Sequence, residues 1–207
     1  VSVLFDPIQT FLRKIENESS LISEERKETL LEFAREIREL KLNQNYFEIV
    51  FVCTHNSRRS QIAQMFAFVC AEYLGLSGIG SYSGGTEVTS FHPNSVQALV
   101  KIGFKIEKEE ETGDNPRYRI SYKENSLPVS AYSKLYSDSS NPKRKFIAVM
   151  VCSSADESCP FVPGAWKRIS LPYLDPKEFD GTAQAFEKYI ETCETIAREL
   201  LFVMEHV

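Results

Sequence analysis

The period of the apolar residues changes several times along this chain, and each change marks an element. Phe5, Ile8, Phe11, Leu12 and Ile15 recur at three and four residues, the spacing of one helical face. Beyond the polar run 17–20, Ser23 is placed to cap a second helix to about residue 40, with Leu30, Ala34, Ile37 and Leu40 aligned. Residues 47–53 then form an apolar run that ends on Cys53, the length and composition of a buried strand. Helical spacing returns over 61–74, where Ile62, Phe66, Val69 and Tyr73 share a face. A short strand over 79–83 leads into Gly84 and Gly85. His92 and Pro93 open another helix, with Val96, Leu99 and Val100 expected inward and Gly103 closing it.

Residues 107–144 have the weakest pattern. A charged run occupies 107–111, Asn115 and Pro116 make a turn, and Tyr118, Ile120 and Tyr122 alternate with polar residues, which with a second short strand over 129–135 predicts a hairpin. A polar loop, 138–145, precedes a second apolar run, 145–152, that also ends on a cysteine, Cys152. A strand over 167–171, a loop over 172–176 and a helix from about Thr182 complete the chain, the helix burying Phe186, Tyr189, Ile190, Cys193, Ala197 and Leu200. Strand–helix alternation after the first 45 residues predicts an α/β fold, a doubly wound parallel sheet with flanking helices. Residues 1–45 read as a helical N-terminal segment, 46–207 as the α/β domain, and 107–144 as a possible hairpin within it.

Composition narrows the function classes. The 207 residues suit a single sizeable core, and the apolar and charged fractions, 43% and 26%, are those of an ordinary globular protein. A net charge of -5 without a Lys/Arg-rich run argues against nucleic acid as a partner. No apolar stretch reaches the roughly 20 residues that cross a bilayer, and the N-terminus lacks a signal-peptide pattern, so no membrane association and a cytoplasmic location are expected. Five cysteines, an odd number, do not suggest a secreted disulfide scaffold.

The chemistry concentrates where the first strand gives way to a helix, at Cys53-Thr54-His55-Asn56-Ser57-Arg58-Arg59-Ser60. A loop closing into a first helical turn aims several backbone N–H groups at one point, and the helix dipole adds positive potential there. A cysteine at its edge is held as the reactive thiolate, so Cys53 is the candidate nucleophile. Arg59 can fork two N–H donors onto a tetrahedral oxyanion, and Ser60 can donate to the sulfur. Thr54, His55, Asn56, Ser57, Arg58 and Ser60 complete the expected oxyanion cradle, His55 as a donor and Arg58 as added positive charge. The histidines form no readable Cys-His dyad, so activation falls to the loop.

This C-x5-R-S spacing between strand and helix resembles the signature loop of the low-molecular-weight protein tyrosine phosphatase superfamily, which includes the thioredoxin-coupled arsenate reductases. Asn56 matches the asparagine that holds a left-handed turn in such loops. The resemblance implies a four-stranded parallel sheet. It also implies that the strands ending on Cys53 and Cys152 are neighbours. Cys152 to Pro160, with Pro163, Lys167 and Arg168, resembles the redox segment of those reductases. By that resemblance Cys53 attacks arsenate, Cys152 displaces arsenite, and Cys159 resolves the resulting disulfide into a Cys152–Cys159 bond for thioredoxin to reduce. Asp175 before Pro176 resembles the family's general acid.

Departures from the pattern matter too. Lys177 and Glu178 stand where many tyrosine phosphatases carry an aromatic pair, and Arg58 occupies a position where many of the reductases carry a further cysteine. Cys70 and Cys193 fall on apolar helix faces and are expected in the core. The spacing of Cys152 and Cys159 offers at most half a zinc site, so no metal and no cofactor are expected. Three readings therefore stand: an arsenate reductase; a low-molecular-weight phosphatase hydrolysing phosphate esters through a cysteinyl-phosphate on Cys53, with Arg59 and Asp175; and a non-enzymatic oxyanion-binding or redox-sensing module.

Overall fold

The computed structural model describes residues 3–109 and 113–207. Its centre is a four-stranded parallel sheet in the order β2-β1-β6-β7, formed by β1 (Phe47–Cys53), β2 (Ile79–Gly85), β6 (Phe146–Met150) and β7 (Ala165–Ser170). Strand β1 is almost wholly buried between β2 and β6, which explains its apolar run. Helix α3 (Arg59–Tyr73) links β1 to β2, α6 (Ala185–Glu205) packs beside it, and α4 (Pro93–Ile102) packs against α6. Since β1 and β6 are paired, their cysteine-bearing ends share the carboxyl edge of the sheet, where ligands of open α/β sheets bind.

Helices α1 (Asp6–Glu16) and α2 (Glu24–Gln44) lie against this core rather than apart from it, both of them on α6. Ser23 caps α2 by accepting from the Arg26 N–H at 3.3 Å, and the helix runs four residues beyond its expected end before Asn45 turns left-handed. From α2, Arg26 makes a two-pronged pair with Glu199 of α6 at 3.0 and 2.9 Å and also donates to the Pro172 carbonyl at 3.1 Å. Thus the N-terminal helices reach the loop that carries Asp175.

The region after α4 forms a second sheet, not a lone hairpin. Strand β3 (Lys105–Lys108) pairs antiparallel with β4 (Tyr118–Ser121), and β4 with β5 (Val129–Ala131). The extra strand was hidden by its sequence, in which a single apolar residue, Ile106, sits among charges. Part of the charged run, 110–111, lies outside the described residues.

Three further differences have local causes. Residues 153–158, for which the apolar spacing marks no element, wind into the short helix α5 (Ser153–Ser158), capped by Cys152, whose sulfur accepts from the Ala155 N–H at 3.4 Å. Val100 is half exposed because the inward face of α4 is Ser95, Ala98, Leu99 and Ile102. Phe186 is likewise exposed at the start of α6, while Tyr189, Cys193, Ala197 and Leu200 are buried. Gly103 ends α4 at φ 122, a backbone region that favours glycine.

Candidate active site

Asn56 holds the loop in shape. It takes φ 47, and this left-handed kink turns its N–H onto the Cys53 sulfur at 3.1 Å. Its side-chain nitrogen donates to Ser60 Oγ at 2.9 Å, which leaves the Ser60 hydroxyl hydrogen free for the same sulfur, 3.1 Å away. Its carbonyl oxygen, Oδ1, accepts from the Lys134 backbone N–H at 2.9 Å. Gln61 of α3 donates to the Asn56 carbonyl at 3.1 Å and to the Tyr132 carbonyl at 2.9 Å. Cys53 therefore sits buried, with the Asn56 N–H and the Ser60 hydroxyl directed at its sulfur.

The segment after β5 buttresses this loop, a role carried by backbone groups and so invisible in the sequence. Ser133 Oγ donates to the His55 carbonyl at 2.8 Å, and Gly85 and Tyr136 exchange backbone bonds with residues across the gap. Gly84 is what permits this approach: a Cβ there would lie 2.2 Å from Tyr136 Cα.

Arg59, the first residue of α3, lies across the mouth. Its guanidinium donates to the Tyr173 carbonyl at 2.8 Å and is ion-paired with Asp175 Oδ2. Its Nε is buried with no partner, a donor free for an incoming oxyanion. Asp175 also accepts from the Lys177 N–H at 3.0 Å, which fixes the carboxylate at the start of the turn Pro176–Phe179. The cavity bounded by Cys53, Thr54, His55, Ser57, Arg58, Arg59 and Asp175 holds only ≈ 10 Å³ in this arrangement.

Two loop side chains do not point where the sequence reading put them. His55 lines the cavity, but its imidazole Nε2 lies 3.5 Å from Glu87. Arg58 turns away to α6, donating to Tyr189 Oη at 2.8 Å and to Asp180 Oδ2 at 3.1 Å. Asp180 is the hub of that cluster, accepting also from Tyr189 at 2.8 Å and from Asn94 at 3.1 Å. Burial would raise the Asp180 carboxyl, but the Tyr189 hydroxyl, His92 and Arg58 outweigh it and hold it below the usual range. Neither Asp180 nor Tyr189 stood out in the sequence, because nothing local links them to residue 58.

The thiols divide into two groups. Cys70 and Cys193 are fully buried, and burial pushes both far above the usual thiol range, as core residues. Cys152 is buried at the end of β6, its sulfur 3.5 Å from Thr54 Oγ1, the residue next to Cys53. Cys159, at the end of α5, is partly exposed and lines a cavity of ≈ 350 Å³ with Thr54, Thr86, Glu87, Ser154 and Ser158. Arg168 of β7 pins this segment, donating to the Cys159 carbonyl at 2.9 Å and to Asp156 Oδ1 at 2.5 Å. All five cysteines are free. Among the described residues, no group of three or more His, Cys, Asp or Glu is arranged to hold a metal ion, and no helix is long and apolar enough to cross a membrane.

Comparison with known proteins places this site in context. Residues 48–118 match the profile of the low molecular weight phosphotyrosine protein phosphatases. An arsenate reductase of Halalkalibacterium halodurans is 29% identical over 65% of this chain and 77% of its own length. One of Brevibacillus brevis is 28% identical over 73% of this chain and 99% of its own. Among solved structures, a low molecular weight protein tyrosine phosphatase from T. tengcongensis shares the fold, with a TM-score of 0.53 and 18% identity over 78% of this chain and 99% of that one.

Proposed function

We propose, from the premise that this chain belongs to the low-molecular-weight protein tyrosine phosphatase superfamily, that it reduces arsenate to arsenite with Cys53, Cys152 and Cys159 in series. The observation that carries this reading is the position of Cys152, whose thiol touches the residue beside Cys53 at the same edge of the sheet. A phosphatase of this kind needs no second thiol there.

The Cys53 thiolate attacks arsenic, and an As–O bond breaks. Asp175, released by Arg59, takes a proton from the incoming acid arsenate and passes it to the departing hydroxide, so water leaves. Arg59 swings from Asp175 and the Tyr173 carbonyl onto the oxyanion, and its free Nε adds a donor. The Cys152 thiolate then attacks Cys53 Sγ. A disulfide forms, the S–As electron pair stays on arsenic, and arsenic(V) becomes arsenite as two thiols are oxidised. Cys159 attacks Cys152 Sγ, which frees Cys53 and leaves a Cys152–Cys159 disulfide. That bond lies on a partly exposed segment, accessible to a dithiol reductant such as thioredoxin. Such a cycle suits a reducing compartment, the cytoplasm.

A second reading, phosphate-ester hydrolysis, is favoured by a groove of ≈ 220 Å³ beside Asp175, walled by Leu174 and Phe179 against α6. It has room for an organic leaving group, which arsenate lacks. One set of assays separates the readings: arsenite formation with a thioredoxin system and hydrolysis of an aryl phosphate, for the wild type and for Cys53→Ser, Cys152→Ser and Cys159→Ser. Loss of arsenite formation in all three, with aryl phosphate hydrolysis lost only in Cys53→Ser, is the expected pattern. Full activity of Cys152→Ser and Cys159→Ser in both assays would overturn the relay in favour of the phosphatase. No change in Cys53→Ser would leave a binding or redox-sensing module.

A further inference from the structure

A polar cavity lies on the far side of β2 from Cys152, between that strand, α3 and the segment that follows β4, with a volume of ≈ 530 Å³. That size is ordinary for a small-molecule site. Its walls carry two cations, Lys134 and Arg117, and no acidic side chain. Both cations lie against the ring of Tyr132, Arg117 Cζ 4.3 Å and Lys134 Nζ 4.8 Å from its centroid. Ser130 and Ser140 line the same space.

Lys134 is the unusual member. It is only 5% exposed, yet among the described residues no carboxylate oxygen lies within 4.0 Å of its ammonium and no acceptor is hydrogen-bonded to it. Asp138 is the acid near enough to favour its charge, and that carboxylate is already engaged by the Ser140 N–H at 2.9 Å and hydroxyl at 2.7 Å. Burial, with Arg117 adding to it, holds the Lys134 ammonium below its usual range despite Asp138. A largely buried ammonium whose nearest carboxylate is engaged elsewhere is costly, and an anion entering the cavity would lower that cost.

We propose that this cavity is a second anion site, taking a small organic phosphate whose phosphoryl group is held by Lys134 and Arg117. Phe68, Ile79 and Val129 supply an apolar wall for the body of the ligand. The site shares no lining residue with the cavity at Cys53 and does not depend on which reaction Cys53 performs. It is nonetheless joined to that loop, because the Lys134 N–H and the Tyr132 carbonyl are bonded to Asn56 and Gln61.

The test uses phenylphosphonate, which carries a dianionic head and a ring and cannot be hydrolysed as a phosphate ester. Isothermal titration is performed on the full chain in an Arg59→Ala background, which silences the catalytic loop. One equivalent should bind, benzyl alcohol should not, and inorganic phosphate should bind at least tenfold more weakly. Lys134→Met and Arg117→Ala, each added to that background, should each weaken phenylphosphonate by tenfold or more. Unchanged affinity in a variant whose melting and circular dichroism match the parent overturns the site. Inorganic phosphate binding as tightly as phenylphosphonate overturns the organic ligand. If Lys134→Met does not fold, the exposed Arg117 decides the matter alone.

Discussion

Arg59 and Asp175 are ion-paired across the mouth of the loop that follows Cys53, so the group proposed to grip the oxyanion and the group proposed to protonate it hold each other. Substrate must break that pair. Asp175→Asn should therefore separate binding from chemistry: turnover falls about 10²–10⁴-fold through loss of the acid, while arsenate binds as tightly as before or several-fold tighter, because Arg59 is released. Single-turnover rates with titration calorimetry check both halves. Weaker binding would show that the pair organises the loop.

Arg26 ties α2 to α6 and to the acid loop at once, through Glu199, the Pro172 carbonyl and a contact of its guanidinium 5.0 Å from the Tyr173 ring centroid. Arg26→Met leaves Glu199, itself 7% exposed, without its partner. Stability in urea should drop by about 3 kcal/mol, and Arg26→Met with Glu199→Met should recover most of it. Turnover in the single variant should also fall, since the Pro172 carbonyl loses its donor three residues before Asp175.

His92 should make stability depend on pH. Burial first, and the Arg58 cation second, lower its pKa from 6.5, against the opposing pull of Asp180 and Asp175. The folded chain thus resists a proton that the unfolded chain accepts. Stability is full above about 6.5 and declines as the pH falls below it, until the folded imidazole also protonates. Protonation at Nδ1 would also abolish the acceptor for the Asn94 N–H at 3.3 Å, the cap of α4. Urea melts from pH 5 to 8 should show this slope in the wild type and a flatter one in His92→Gln.

Arg168 is expected to govern access to Cys159. Helix α5 has only six residues, and the bonds from Arg168 to Asp156 and to the Cys159 carbonyl, with one from Ser170 to Asp156 at 2.7 Å, anchor it to β7. Arg168→Ala should raise alkylation of Cys159 by iodoacetamide several-fold while leaving that of Cys53 unchanged, as read by peptide mass spectrometry. Equal rates would place the anchor elsewhere.

What the sequence disclosed was whatever local periodicity or chemistry marks. The apolar run of β1, the helical face of α3, the Ser23 cap and the Gly103 stop are all one-dimensional signals, and each appears in the fold. Strand β3 was missed because it exists by pairing with β4, not by its own propensity. Helix α5 was missed because six residues are too few for a period to emerge. Within the loop, spacing set the backbone but not the side-chain directions, which Glu87, Asp180 and Tyr189 decide from elsewhere. The Tyr132–Lys134 buttress works through amides common to every residue type.

Those remote partners have a consequence for how the protein comes into being. Asn56 is completed by a residue 78 positions later, Arg59 by one 116 positions later and Arg58 by one 131 positions later. A ribosome that has released only the first half of the chain has exposed the motif without its pocket. The nascent polypeptide thus carries the cysteine well before the side chains that fix Arg58 and Arg59 have emerged.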